Sequence, residues 1–277
     1  MKDLHNPDYL NHLCQKYGLQ PSKQYGQNFL IDETVIDKII AAAELKPADE
    51  ILEVGPGFGV LTLALAARVK KVTAFEIEKK LEGYWIEQIK NKKNIELVWG
   101  NVLRIHGSQF PIHKYKVVSN LPYQITSVVI RKFLEEKNQP ELMVLMVQKE
   151  VAERICAKTG DMSLLAVAVQ YYSRPEIIAA VGRAAFYPAP KVDSAIIKFT
   201  QIHAPKSTAE TQKFFKLVKI GFSSRRKILI KNLEPFIGKK NKAKWLEIFA
   251  KLGLTEKARA QELSVGQWQE LSTYWPV

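Results

Sequence analysis

Cysteine is nearly missing from this chain: Cys14 and Cys156 are the only two in 277 residues. Two thiols cannot build a disulfide framework, and these lack the paired spacing of a metal site. The histidines, His5, His12, His106, His113 and His203, are scattered with no ligand pattern, so no bound metal is expected. Apolar runs of membrane-spanning length are absent, and the N-terminus lacks the apolar core of a secretion signal. Internal repeats and low-complexity tracts are missing too. These absences lead to the expectation of a cytoplasmic, soluble, metal-free monomer with no membrane partner.

Acidic residues are outnumbered, with 28 Asp and Glu against 41 Lys and Arg, a formal net charge of +13. The excess is uneven: residues 201–277 hold 15 basic against 6 acidic side chains. A polyanionic partner follows, with nucleic acid foremost; a solvated lysine-rich surface is the plainer alternative. Hydrophobic residues make up 47% of the chain, enough core for one large domain or a large and a small one. Apolar patterning fades at Gln201–Ser207, around Pro205. The expected division is therefore 1–200 and 201–277.

What is present is organised around Ile51–Thr62. Ile51, Leu52 and Val54 read as a buried strand, Gly55, Gly57 and Gly59 crowd the next five positions, and an apolar helical pattern follows. Strand, glycine turn and helix form the opening unit of a nucleotide-binding α/β sheet, the glycines letting a ligand approach the backbone. A tight turn without a ligand is the bland alternative. A dinucleotide fingerprint needs a further glycine where this chain has Val60. Glu53 would repel a pyrophosphate and suits an ammonium group, such as the amino-acid end of S-adenosylmethionine.

Asp32 reads as the cap of a helix over Glu33–Leu45, behind an irregular segment Lys23–Leu30 that presents amides. Beyond the turn, strands at Val72–Phe75, Ile95–Trp99, Lys116–Ser119 and Leu142–Val147 alternate with helices at Lys79–Lys90 and Ile125–Lys137. This alternation predicts a parallel, doubly wound sheet. Gly55, Glu76, Asn101 and Asn120 would then share its carboxyl edge. Pro175–Val181 and Val192–Phe199 predict an antiparallel edge. Four helices are expected after the boundary: Thr208–Gly221, Ser224–Leu233, Asn241–Leu252 and Ser264–Tyr274.

Glu76, at a strand end, can accept ribose hydroxyls in a nicotinamide enzyme or a methyltransferase alike. Asn101 can offer its amide to an adenine edge. Asn120-Leu121-Pro122-Tyr123 discriminates between them. Pro122 holds Leu121 extended, so its carbonyl and the Asn120 oxygen can converge on one amino group. Tyr123 offers a face for a base swung out of its stack.

Together with Gly26–Leu30, Glu53–Gly57, Gln148–Ala152, Phe186–Ser194 and Arg225–Lys227, these motifs resemble the rRNA adenine N6-dimethyltransferase family, most like its KsgA (RsmA) branch. The likeness runs from about residue 20 into the C-terminal helices. It implies a Rossmann-like class I methyltransferase sheet with a small all-α C-terminal domain. It also implies S-adenosyl-L-methionine as methyl donor and dimethylation of two adjacent adenosines near the 3′ end of small-subunit rRNA, within an immature 30S subunit. By resemblance, Asn28, Leu30, Gly55, Glu76, Asn101 and Asn120 contact the cofactor. Asn120, Leu121, Tyr123 and Phe186 serve the target base, and Arg225, Arg226 and Lys227 contact RNA. The family usually has Asp where this chain has Asn101, so cofactor binding is expected to be tolerated, weakened if anything. Rival readings are the Erm branch acting on large-subunit rRNA, a nicotinamide oxidoreductase, and a non-catalytic ribosome-assembly factor.

Overall fold

The structure is a computed structural model that describes residues 2–19, 28–105, 114–204 and 207–275. Gly26 and Gln27, like the rest of the segment expected over 23–27, lie outside the described residues, as does Pro205 at the expected boundary.

The chain forms two compact units, 1–152 with 174–202, and 153–173 with 203–277. The first contains strands β1 (Phe29–Leu30), β2 (Glu50–Val54), β3 (Lys71–Glu76), β4 (Ile95–Trp99), β5 (Lys116–Asn120), β6 (Leu142–Gln148), β7 (Arg174–Val181), β8 (Phe186–Tyr187) and β9 (Ser194–Thr200). Helices α1 (Pro7–Lys16), α2 (Glu33–Ala43), α3 (Val60–Ala66), α4 (Glu82–Ile89) and α5 (Thr126–Glu135) lie between them, and α6 (Lys149–Ile155) carries the chain toward the second unit.

Seven strands make one sheet in the order β4-β3-β2-β5-β6-β9-β7. The first five are parallel, while β9 runs antiparallel to both β6 and β7. The expected mostly parallel sheet with an antiparallel edge is thus the one observed. Its central strands are apolar along their length; Met143 to Val147 are fully buried because helices cover both faces. One buried cluster joins α2 and α3 to the sheet, and a second joins α1 to α4.

Polar contacts fix the local geometry. The Asp32 carboxylate accepts the Thr34 N–H at 2.9 Å and starts α2 where its capping chemistry predicts. Buried Lys116 donates to Asp49 at 2.8 Å and to the carbonyls of Ala43 and Glu44, anchoring the start of β5 to the end of α2. A charge so deep is tolerated because it is paired and hydrogen-bonded together.

The second unit holds α7 (Leu164–Tyr172), α8 (Thr208–Gly221), α9 (Leu229–Ile237), α10 (Lys242–Lys251) and α11 (Val265–Thr273). Residues 153–173 fall in this unit and not in the sheet unit, where the expected division at 200 had put them. Aromatic packing accounts for it: Tyr171 on α7 stacks on Phe214 of α8 with ring centres 4.4 Å apart. A second difference concerns Ser224–Leu233. Its first five residues form a turn, held by the Asn232 amide donating to the carbonyls of Gly221 and Ser224 at 2.7 and 3.1 Å, and the helix starts at Leu229.

Candidate active site

Strand order reverses at β2, which pairs with β3 on one side and β5 on the other. Doubly wound sheets bind ligands at such a reversal, beyond the carboxyl ends of the strands. Here that position is a cavity of about 340 Å³. Asn28, Leu30, Gly55, Glu76, Asn101, Asn120, Leu121 and Tyr123 all line it, together with Glu53, Ile77 and Val102. Leu4 and Leu10, near the N-terminus, contribute to the wall, and neither position carries a sequence signal for the site.

The glycine turn is bound from both sides. Gly55, at φ +71°, donates its N–H to the Phe75 carbonyl at 2.8 Å, and a Cβ on it would lie 3.5 Å from the Pro122 ring. Gly57 donates to the Glu76 carboxylate at 3.1 Å. Gly59, at φ +83°, meets a further demand from behind the turn. A Cβ there would fall 2.5 Å from the Trp85 ring, whose indole N–H donates to the Gly57 carbonyl at 3.0 Å. The third glycine therefore makes room for an indole behind the turn while also lining the cavity.

Two carboxyl groups face the cavity. Glu53 is 2% exposed, and one of its oxygens has no hydrogen-bond partner among the described residues. Burial pushes its pKa up to about 8, opposed by the Thr62 hydroxyl and reinforced by the charge of Glu76. Burial thus favours the neutral carboxyl of Glu53, and a cation beside its unpartnered oxygen would favour the carboxylate. Glu76 accepts N–H bonds from Ile77 and Glu78 at 2.8 Å and from Gly57 at 3.1 Å. Burial still raises its pKa, and those three N–H bonds hold the rise back.

Asn101 caps the turn that follows β4, its oxygen accepting the Leu103 N–H at 2.9 Å. Asn120 donates its amide N–H to the Asn28 carbonyl at 3.5 Å, which uses the donor end and leaves the oxygen as the acceptor. Ser119 ties β5 to β2 through both polar groups of Val54, at 2.7 and 3.3 Å. The Leu121 side chain is buried, and its N–H donates to the Met146 carbonyl at 3.1 Å. Half-buried Tyr123 shares a 2.7 Å hydrogen bond with the Ser194 hydroxyl. Burial raises its pKa; the Ser194 bond lowers it, and Asp193 adds a smaller rise.

Phe186 is not part of the cavity wall. It is 3% exposed within the apolar core, and its backbone pairs with Leu30 across the β1–β8 ladder. Phe186, expected against the target base, pairs with a strand whose Leu30 lines the cavity. Arg225, Arg226 and Lys227 occupy the exposed turn between α8 and α9, in the helical unit. Arg225 borders a second cavity there with Arg154 and Lys219; Arg226 and Lys227 do not. Arg154 falls in the helical unit, although the expected division put it in the sheet domain. Among the described residues no cluster of His, Cys, Asp and Glu could hold a metal ion, and no helix is long and apolar enough to cross a membrane.

Comparison with known proteins narrows the chemistry. The family described as "Ribosomal RNA adenine dimethylase" matches residues 18–275. "Ribosomal RNA small subunit methyltransferase A" of Dehalococcoides mccartyi is 43% identical, over 94% of this chain and 90% of its own. The protein of that name from Geobacillus kaustophilus is 36% identical, over 98% and 96%. Among solved structures, the 23S rRNA methyltransferase ErmE superposes with a TM-score of 0.72 at 30% identity, covering 89% of this chain and 98% of its own. A dimethyladenosine transferase from Plasmodium falciparum gives the same score at 27% identity, covering 87% and 95%. The match spans nearly the whole chain, glycine turn and Asn120–Tyr123 included, and the chain belongs to the ribosomal RNA adenine dimethylase family.

Proposed function

We propose that this enzyme uses S-adenosyl-L-methionine to dimethylate the exocyclic amino groups of two adjacent adenosines near the 3′ end of small-subunit rRNA, during subunit maturation. The observation that carries the proposal is the convergence of Asn120–Tyr123 with Glu53 and Glu76 on one cavity. The residues fit the cofactor. The cavity volume is at the lower end of the range for small-molecule sites. The unpartnered Glu53 oxygen suits an ammonium, and the Glu76 carboxylate, fixed by three N–H bonds, suits a ribose diol.

When bound, the cofactor supplies an activated methyl on a sulfonium. The chain does the rest by placement. The Asn120 oxygen and the Leu121 carbonyl accept the two hydrogens of the target amine. That localises the nitrogen lone pair, otherwise delocalised into the ring, and stabilises the positive charge that develops on nitrogen. Tyr123 stacks the extruded base, its ring held by Ser194. No strong base is required. The cationic turn at Arg225–Lys227, with Arg154 and Lys219, is suited to rRNA phosphates.

The names of the sequence relatives support the small-subunit target over the Erm reading, although ErmE shares the fold. Incubation with labelled methyl donor and immature small subunits, followed by nucleoside analysis, tests the proposal. Label in dimethyladenosine of small-subunit rRNA is expected. Label confined to large-subunit rRNA would select the Erm reading, and no label would leave an assembly factor.

A further inference from the structure

The helical unit has a cavity of its own, about 590 Å³ in volume and sharing no lining residue with the first. Three cations border it: Arg154 on α6, Lys219 on α8 and Arg225 in the turn after α8. All three are exposed, and none forms a salt bridge among the described residues. No Asp or Glu lines the cavity to offset them. Like charges gathered without a counter-charge repel one another, and an anion relieves them. Ser163 adds a donor, since its oxygen accepts the Ala166 N–H at 3.1 Å and its hydroxyl hydrogen is left for a ligand.

The floor is of a different kind. Leu164, Leu165, Ile220 and Phe222 line it, and Leu164 is 41% exposed at the first position of α7. Inorganic phosphate, or the backbone of a duplex, would satisfy the cations and leave that apolar surface in water. An unpaired nucleotide satisfies both, with its phosphate on the cations and the face of its base on the apolar floor. We infer that this cavity holds one unpaired nucleotide of the RNA substrate, a second nucleotide subsite besides the one proposed for the target adenosine. The inference rests on the reading of the chain as an rRNA enzyme. Its cations set affinity and salt dependence, while the floor admits a base only where the RNA is not paired.

Titration of immature small subunits at several salt concentrations tests this, with the rRNA bases probed chemically in each saturated complex. Leu164→Gln makes the floor polar and leaves every cation in place. It is expected to weaken binding about five-fold with the salt slope unchanged, and one unpaired base shielded by wild type should regain its reactivity. Lys219→Gln should instead lower the salt slope by about one. Leu164→Ala, a smaller change, repeats the test if thermal melting shows that glutamine unsettles α7. Wild-type affinity and footprint in the Leu164 variants would overturn the inference, as would weaker binding with no base regaining reactivity. Failure of the wild-type chain to bind the subunits at all would overturn the rRNA reading and this inference with it.

Discussion

The hydroxyls of Tyr123 and Ser194 lie 2.7 Å apart although 71 residues separate them in the chain. The ring proposed to stack the target base is thereby held by a fully buried serine at the start of β9. Ser194→Ala removes that hold while leaving the ring, and should lower kcat by about ten-fold with cofactor affinity unchanged. Tyr123→Ala should cost about 100-fold or more, by loss of the stacking face. Single-turnover methylation on pre-subunits measures both. Equal rates for Ser194→Ala and wild type would separate the hydrogen bond from catalysis.

Glu53 should make the cofactor-free protein sensitive to alkali. Its carboxyl pKa rises from 4.5 to about 8 on burial, so the folded state holds a proton that the unfolded state releases. That stabilising contribution is complete below pH 4.5 and is lost as pH rises through about 8. Glu53→Gln, neutral throughout, should flatten the fall in Tm between pH 6 and pH 9. An ammonium beside Glu53 favours its ionised form, so cofactor binding should also release protons near neutral pH, seen as buffer-dependent binding heats in calorimetry. Identical pH profiles for variant and wild type would show that Glu53 does not titrate there.

Glu76→Ala leaves three N–H groups, of Gly57, Ile77 and Glu78, without their acceptor. Losing a buried charged acceptor should destabilise the fold by about 2–4 kcal/mol, read from urea unfolding. Cofactor affinity should drop at least ten-fold, about 1.4 kcal/mol, because the proposed ribose contact goes with it. Undiminished affinity would remove Glu76 from the ligand site.

Gly59→Ala puts a methyl 2.5 Å from the Trp85 ring at a backbone angle of φ +83°. Overpacking and backbone strain together should cost about 2–4 kcal/mol. Trp85→Leu opens the space, so the double variant should lose less than the sum of the two single changes. Strict additivity in denaturant titrations would contradict the contact.

Neutralising Arg225 and Arg226 should weaken pre-subunit binding and flatten its dependence on salt by about one unit of slope per lost phosphate contact. Arg225 borders the second cavity and Arg226 does not, so the single variants need not be equal. An unchanged slope would mean that neither touches phosphate.

The sheet and the carboxyl-edge residues were legible because each depended on a short-range signal: an apolar run, a glycine turn, a carboxylate or amide at a strand end. Gly55, Glu76, Asn101 and Asn120 come together because parallel strands put all their carboxyl ends at one edge. What stayed hidden was set by distant partners. Nothing near Gly59 in sequence announces Trp85, and nothing near Tyr123 announces Ser194. The burial of Phe186 is likewise invisible in a string of letters. Residues 153–173 were assigned to the wrong unit because helical periodicity does not say which neighbour a helix packs on. The direction of the Asn101 amide followed only from its bond to Leu103.

The place of β9 between β6 and β7 bears on how the protein is made. Synthesis delivers the glycine turn, Glu76 and Tyr123 early, but the serine that steadies Tyr123 arrives only with residue 194. Until then β6 is an open edge and the aromatic platform lacks its anchor. A polypeptide still threading out of the exit tunnel thus carries its aromatic ring without the hydroxyl that steadies it until residue 194 has been translated.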